Sequence, residues 1–362
     1  MAARERARRA IRGRVGSFCG GVVAVCLMIS SQAWASDADL TLPPSEGPVK
    51  IGIGFVLLDI VYVDTEKQTA EVEGVLTLSW RDARQAFDAV ELGTEERIYQ
   101  GATQFNEVFE GWWPQAILAN ESGRYSIQGV LLRIRPDGSL FLTQEVSAVA
   151  ELPMNLRRYP FDRQDCQLIF EILGFHAGEV ELVPANERTA AEAHGISVAE
   201  WDLVGLRIEN TRYRVASVAG GEVSAAVVTA EIGRRPGHTL RVVMFPLAML
   251  IALSWSVFWM NRESLGNRMD ISFVGILTVV AYQIVISDEL PSISYFTLLG
   301  AFLYICFASM AASVVVNLAV GRLDNRGLDK QGERVDRACQ VVFPVGFVGL
   351  NLLSAAAFFL FS

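Results

Sequence analysis

Two hydrophobic patterns divide this chain. Between residues 49 and 234, short runs alternate apolar and polar positions or are rich in β-branched residues, which is the period-two signature of half-buried strands. The runs at 49–62, 70–80, 115–120, 126–135, 139–151, 166–175, 180–183, 201–213 and 222–234 predict about ten strands, with turn chemistry between them at Pro136, Asp137 and Gly138 and at Gly220 and Gly221. Strands at this spacing predict an all-β, immunoglobulin-like sandwich. The weakly amphipathic patch at 94–104 fits a short helix or a loop. Past Arg235 and Pro236 the alternation stops. Uncharged runs predict helices at about 240–260, 269–287, 292–320 and 338–361, each approaching or exceeding the length that crosses hydrocarbon.

Polar residues inside one of those runs are arranged rather than scattered. Stepping by four and three from Asp270 gives Val274, Leu277, Ala281, Ile284 and Asp288, all on one helical face. An ionised carboxylate facing lipid is expensive, so the stripe predicts a surface turned toward protein or water. Copies packed around an axis would make carboxylate rings and a leucine constriction that closes by dewetting. The same stripe also fits ordinary helix packing with Asp270 near a helix start.

The flanks orient the spans. Arg and Lys gather in the connections 261–268 and 321–337, as cytoplasmic loops do, whereas Ser287, Asp288 and Glu289 belong outside. An even number of spans returns the C-terminus to the side of the sandwich. The expected division is a water-exposed domain at 36–237 and a membrane domain at 238–362.

Composition agrees with a chain that is part membrane and part water, at 362 residues with 51% hydrophobic residues. Its first 35 residues read as a secretory signal: a basic start, an apolar stretch from Val15, and Ala33, Trp34 and Ala35 before Ser36. That segment carries six Arg and one Glu, so removing its +5 from the formal −9 leaves −14. Eight basic and eight acidic residues follow from His238 on, so the excess negative charge lies in 36–237. An acidic domain repels nucleic acid and concentrates cations at a pore mouth, and equally it keeps a domain soluble. Of five cysteines, only Cys166 falls in the water-exposed domain, which therefore stands on its core rather than on disulfides.

An enzyme is not expected. His176, His194 and His238 are scattered, no pair has metal-ligand spacing, and neither a nucleophile elbow nor a phosphate loop is present, so no metal or cofactor is called for. A membrane-anchored binding or sensor protein without a conducting pore is the alternative in another class. It would not need the stripe from Asp270 to Asp288.

Six short motifs run in order along both domains: Trp80-Arg81-Asp82; Trp112-Trp113-Pro114; Tyr159-Pro160-Phe161-Asp162 ahead of Cys166; Arg234-Arg235-Pro236; the Ser254 to Trp259 run; and the Leu277 to Tyr282 run. In this the chain resembles the prokaryotic branch of the pentameric ligand-gated ion channels, the Cys-loop receptor superfamily, from about residue 49 to the end. The ectodomain and last helix are nearer the proton-gated bacterial pattern, the first two helices nearer the amine-gated one. The resemblance implies a homopentamer in the inner (cytoplasmic) membrane, contacting lipid, with a sandwich ectodomain outside and the second helix lining a pore for permeant cations. Leu277 falls at the hydrophobic gate, with Val274, Ala281 and Ile284 also lining, Asp270 at the narrow inner end, and Arg268 at the basic position of the inner mouth. Coupling between domains is expected through Asp64 and Gln68 in the first turn, through Tyr159, Pro160, Phe161 and Asp162, through Arg234, and through the linker at Pro291. Asp162 is expected to pair with Arg234, and Pro160 is a candidate cis proline. Leu152 stands where the first paired cysteine would fall, so packing around Pro160 and Phe161 is expected to hold that loop.

The agonist positions of the resemblance are Ala119, Leu173 and Val223, with Phe175 and Tyr213 nearby. That set is not an aromatic cage for an ammonium. Gln68 and Val279 stand where the proton-gated pattern has Glu and His. The stimulus is therefore expected to be protons or an unknown small molecule.

Overall fold

The computed structural model describes residues 43, 47–185, 198–214, 221–260, 265–289 and 291–361. The signal-like segment lies outside these residues. Among the described residues ten strands form two facing sheets. The six-stranded sheet runs β3-β5-β6-β2-β1-β8, built from β1 (Val49–Asp64), β2 (Thr69–Arg81), β3 (Arg97–Gln100), β5 (Glu121–Ile134), β6 (Ser139–Glu151) and β8 (Val180–Pro184). The four-stranded sheet runs β4-β7-β10-β9, with β4 (Ala116–Leu118), β7 (Arg163–Ile172), β9 (Trp201–Arg214) and β10 (Glu222–Arg234).

Strand alternation does the folding work here. On β2 every second residue from Ala70 to Trp80 is buried, so one face supplies core and the other faces outward. Phe55 and Phe170 meet between the sheets at 5.6 Å, and Trp80 packs edge-on to Trp112 at 6.2 Å. β3 corrects the reading of 94–104 as helix or loop. Its four residues pair antiparallel with the end of β5 before a helical turn begins at Gly101, and so few residues give no readable period.

Four long helices follow: α1 (Gly237–Trp259), α2 (Leu265–Glu289), α3 (Leu298–Asp324) and α4 (Asp329–Phe361). Each is long and apolar enough to cross a membrane. α3 begins six residues later than its apolar run, because the Thr297 hydroxyl caps it by accepting from the Gly300 N–H at 2.9 Å. α4 begins well before the apolar run. The charged stretch up to Arg337 is already helical, with Arg337 donating to Glu333 one turn back. α4 presents Val341, Val345, Val348, Leu352 and Leu360 outward, exposed in a single chain.

Candidate functional site

One face of α2 is exposed among the described residues. Asp270, Val274, Leu277, Ala281 and Ile284 are all exposed, Leu277 to 70%. The opposite face holds Arg268, Ser272, Val279 and Ile286, all buried against the neighbouring helices. Between them Gly275 lets α2 approach α3, since a Cβ there would stand 2.5 Å from Cε of Met310. Asp288 lies in the last turn of α2, but its side chain is outside the described residues. α1 leaves the ectodomain at Gly237, so Asp270, early in α2, sits at the far end of the bundle.

Arg268, expected at the inner mouth, does not share the exposed face. It is fully buried and turned away from the stripe, with Nη2 at 2.7 Å from Oδ1 of Asp336 on α4 and Nη1 at 3.4 Å from Oδ2. The reason is angular: residues two apart on a helix point about 200° apart, so Arg268 and Asp270 cannot share a face.

The second assembly joins the two domains at the β6–β7 loop, residues 152–162. Asp162 and Arg234 form a buried pair, Nε to Oδ1 2.9 Å, with side chains 1% and 6% exposed. Gln164 also donates to Asp162 at 2.7 Å. The Arg234 guanidinium lies over the ring of Trp201 at 4.1 Å and over that of Tyr159 at 4.8 Å, and it donates to the Thr65 hydroxyl in the β1–β2 turn at 3.3 Å. Trp201 is thus both core and a cradle for the cation. The Tyr159–Pro160 peptide is cis.

Around this pair the loop grips four other elements. Gln68, at a positive φ of 54°, accepts from the Leu152 N–H through its carbonyl at 2.7 Å and from the Met154 N–H through Oε1 at 3.2 Å. Asp64 closes the same turn by accepting from the Lys67 N–H at 2.8 Å and from its ammonium at 3.0 Å. That backbone hydrogen bond, the largest influence, holds the Asp64 carboxyl below its ordinary value. The Tyr159 hydroxyl meets that of Thr239 at the start of α1, 3.2 Å away.

Toward the α2–α3 linker, the Tyr295 hydroxyl accepts from the Leu156 N–H at 3.1 Å, and the Leu298 N–H donates to the Arg157 carbonyl at 2.8 Å. Toward α4, Phe161 meets Phe359 at 6.1 Å. Phe161 is more than a third exposed, so it does not hold the loop from inside as expected. Leu152, Met154 and Leu156 do, because they alternate inward, and Tyr159 and Pro160 are buried after them, while Phe161 follows the cis turn and faces the helix end. Pro291 lines a cavity of about 450 Å³ with Gln283, Ile286, Tyr295 and Leu303. A larger cavity of about 700 Å³ is walled by Asp64, Tyr159, Trp201, Arg234, His238 and Thr239. The linker's working residue is Tyr295, which sequence reading missed; a tyrosine just before an apolar helix was its one available signal.

Of the agonist positions, Val223 and Tyr213 are cross-strand partners on β10 and β9. Val223 is buried in the sandwich, in a stretch of β10 where four successive residues from Val223 to Ala226 are all buried. Phe175 packs edge-on to Trp112, and the Tyr213 hydroxyl donates to Glu171; burial first, and that bond second, push the phenol up. Ala119 and Leu173 are exposed. Among the described residues no cluster of His, Cys, Asp or Glu could hold a metal.

Comparison with known proteins gives a consistent picture. Residues 38–236 match the neurotransmitter-gated ion-channel ligand binding domain, and residues 243–333 match the neurotransmitter-gated ion-channel transmembrane region. A proton-gated ion channel of Gloeobacter violaceus is 22% identical over 336 residues, covering 92% of this chain and 90% of that protein. Gamma-aminobutyric acid receptor beta subunits of Lymnaea stagnalis and Caenorhabditis elegans are 24% and 26% identical over 78% of this chain. The chain spans only 58% and 51% of those two subunits' own lengths.

Proposed function

The chain belongs to the neurotransmitter-gated ion-channel family and is a ligand-gated ion channel with an extracellular N-terminal domain, and from that premise we propose a cation-selective homopentamer of the inner membrane. The observation that carries the proposal is the exposed stripe on α2. Five residues at helical spacing, one acidic and the rest apolar or small, are exposed among the described residues while Arg268, Ser272, Val279 and Ile286 on the opposite face are buried. Fivefold packing of that stripe around an axis gives a ring of Asp270 carboxylates at the inner end and a ring of Leu277 above it. The carboxylates concentrate cations, and the leucines close the path when dry.

An extracellular stimulus, protons or a small molecule, is sensed by residues 36–237 and passed to residues 238–362 through the 152–162 loop. The loop touches the β1–β2 turn, the start of α1, the α2–α3 linker and the end of α4, so its displacement moves all of them together. Purified protein reconstituted in planar bilayers under a salt gradient tests the proposal. Stimulated currents that reverse near the cation equilibrium potential, and lose that preference in Asp270→Ala, are expected. Assembled protein that passes no current across a pH series, with or without amines, would overturn it.

A further inference from the structure

Arg268 and Asp336 form a fully packed ion pair between the stripe-bearing helix and the outermost helix. The guanidinium is 0% exposed and the carboxylate 9%. Around them lies a polar cluster in an otherwise apolar bundle: Ser272 bonds back to the Arg268 carbonyl at 3.2 Å, Ser313 donates to Ser272 at 3.1 Å, and Asn317 donates to Ser272 at 3.3 Å. Arg268 Nε and Asn317 Oδ1 are buried with no partner among the described residues. A cluster left incompletely satisfied is poorly explained by stability alone, since an apolar pair of similar volume is often as stable as a buried ion pair.

Geometry gives the pair another use. Arg268 and Asp270 lie two residues apart on α2, about 200° around the helix. Whatever fixes the direction of Arg268 therefore fixes the direction of Asp270. Building on the pore reading above, we propose that Asp336 of α4 is a positioning residue for ion selectivity. By holding the Arg268 guanidinium against α4, it sets the rotation of α2 about its axis, aims Asp270 at the pore, and keeps a positive charge away from the inner mouth. When Asp336 is neutral the guanidinium is buried without a counter-charge, which favours any movement of α2 that hydrates it. A rotation of α2 that brings Arg268 toward the axis turns Asp270 away from it by the same angle, so the negative ring is weakened and a positive charge takes its place.

The test measures reversal potentials of reconstituted full-length channels in a salt gradient. Asp336→Asn is expected to lower the cation-to-anion permeability ratio several-fold, although the residue touches no part of the stripe. The charge-swapped pair Arg268→Asp with Asp336→Arg keeps the ion pair and is expected to restore the wild-type reversal potential. A loss of packing alone would lower melting temperature or assembly and leave the reversal potential unmoved. Asp336→Asn channels with wild-type selectivity overturn the proposal. Where Asp336→Asn does not assemble, an assembled swap that is no longer cation-preferring overturns it just as well. Wild-type protein with no current, or with current indifferent to Asp270→Ala, would instead sink the pore reading on which this rests.

Discussion

Arg234 holds Asp162 from both ends of the residue: its Nε reaches Oδ1 at 2.9 Å while its backbone N–H donates to the Asp162 carbonyl at 3.0 Å. The side-chain bond is charge-assisted and buried, and the backbone bond ties the end of β10 to the 152–162 loop whatever the side chain does. Removing one partner leaves a buried charge alone, at a cost of about 3–5 kcal/mol. Asp162→Asn and Arg234→Gln should therefore each lower the melting temperature clearly and reduce stimulated current. The double variant should lose much less than the sum of the two, which thermal melts of all four proteins would show.

How far the sequence disclosed this arrangement depended on whether a residue's role was local. Strand faces and membrane helices repeat with a short period, so β2 and the α2 stripe were legible from spacing alone. β3 was too short to show a period, and its existence depends on pairing with β5. The start of α4 was hidden because its first turns are charged and solvent-facing, and hydropathy measures only what lipid would see. Arg268 and Tyr295 illustrate the other limit. Each is positioned by a residue distant in sequence, Asp336 and Leu156 respectively, and no local pattern announces such a partner.

Leu277 is expected to control the resting state. Its side chain is among the most exposed on α2, so in a fivefold assembly it has only its symmetry mates and water to meet. Leu277→Ser places hydroxyls at the constriction and lets it stay wet, which should raise current in the absence of stimulus several-fold. Val345→Ser, at a similarly exposed position on α4, should leave resting current unchanged. Equal leak from both variants would show that general loosening of the bundle, rather than a constriction, is responsible.

Asp64 should not be an acid sensor near neutral pH. Its carboxyl is held below the ordinary 3.8, chiefly by the Lys67 backbone hydrogen bond. A carboxylate with a depressed folded-state pKa contributes stability that is present above the unfolded value and disappears as pH falls through the folded one. Between mild acid and neutrality Asp64 thus stays ionised in both states. Asp64→Asn is expected to leave the pH midpoint of any acid-evoked current where it was. Its small effect on melting temperature should vanish only in strong acid, and a shifted midpoint in current recordings would make Asp64 an acid sensor after all.

Cys166 is expected to behave as a small core residue rather than a thiol. It is 1% exposed on β7, and burial pushes its pKa up to about 12. The reactive species is the thiolate, so at mildly alkaline pH both access and ionisation work against alkylation. Folded protein treated with iodoacetamide should show no modification at Cys166 by peptide mass spectrometry, and protein unfolded in guanidinium should show complete modification. Cys166→Ala should keep assembly intact at a cost of about 1 kcal/mol, the scale of one small buried group. Cys166→Ser should cost more, because a hydroxyl between the sheets needs a hydrogen-bond partner that an apolar site does not supply. Rapid labelling of the folded channel would mean that β7 opens locally, and the 152–162 loop that leads into it would then be held by something looser than the packing of Leu152, Leu156 and Tyr159.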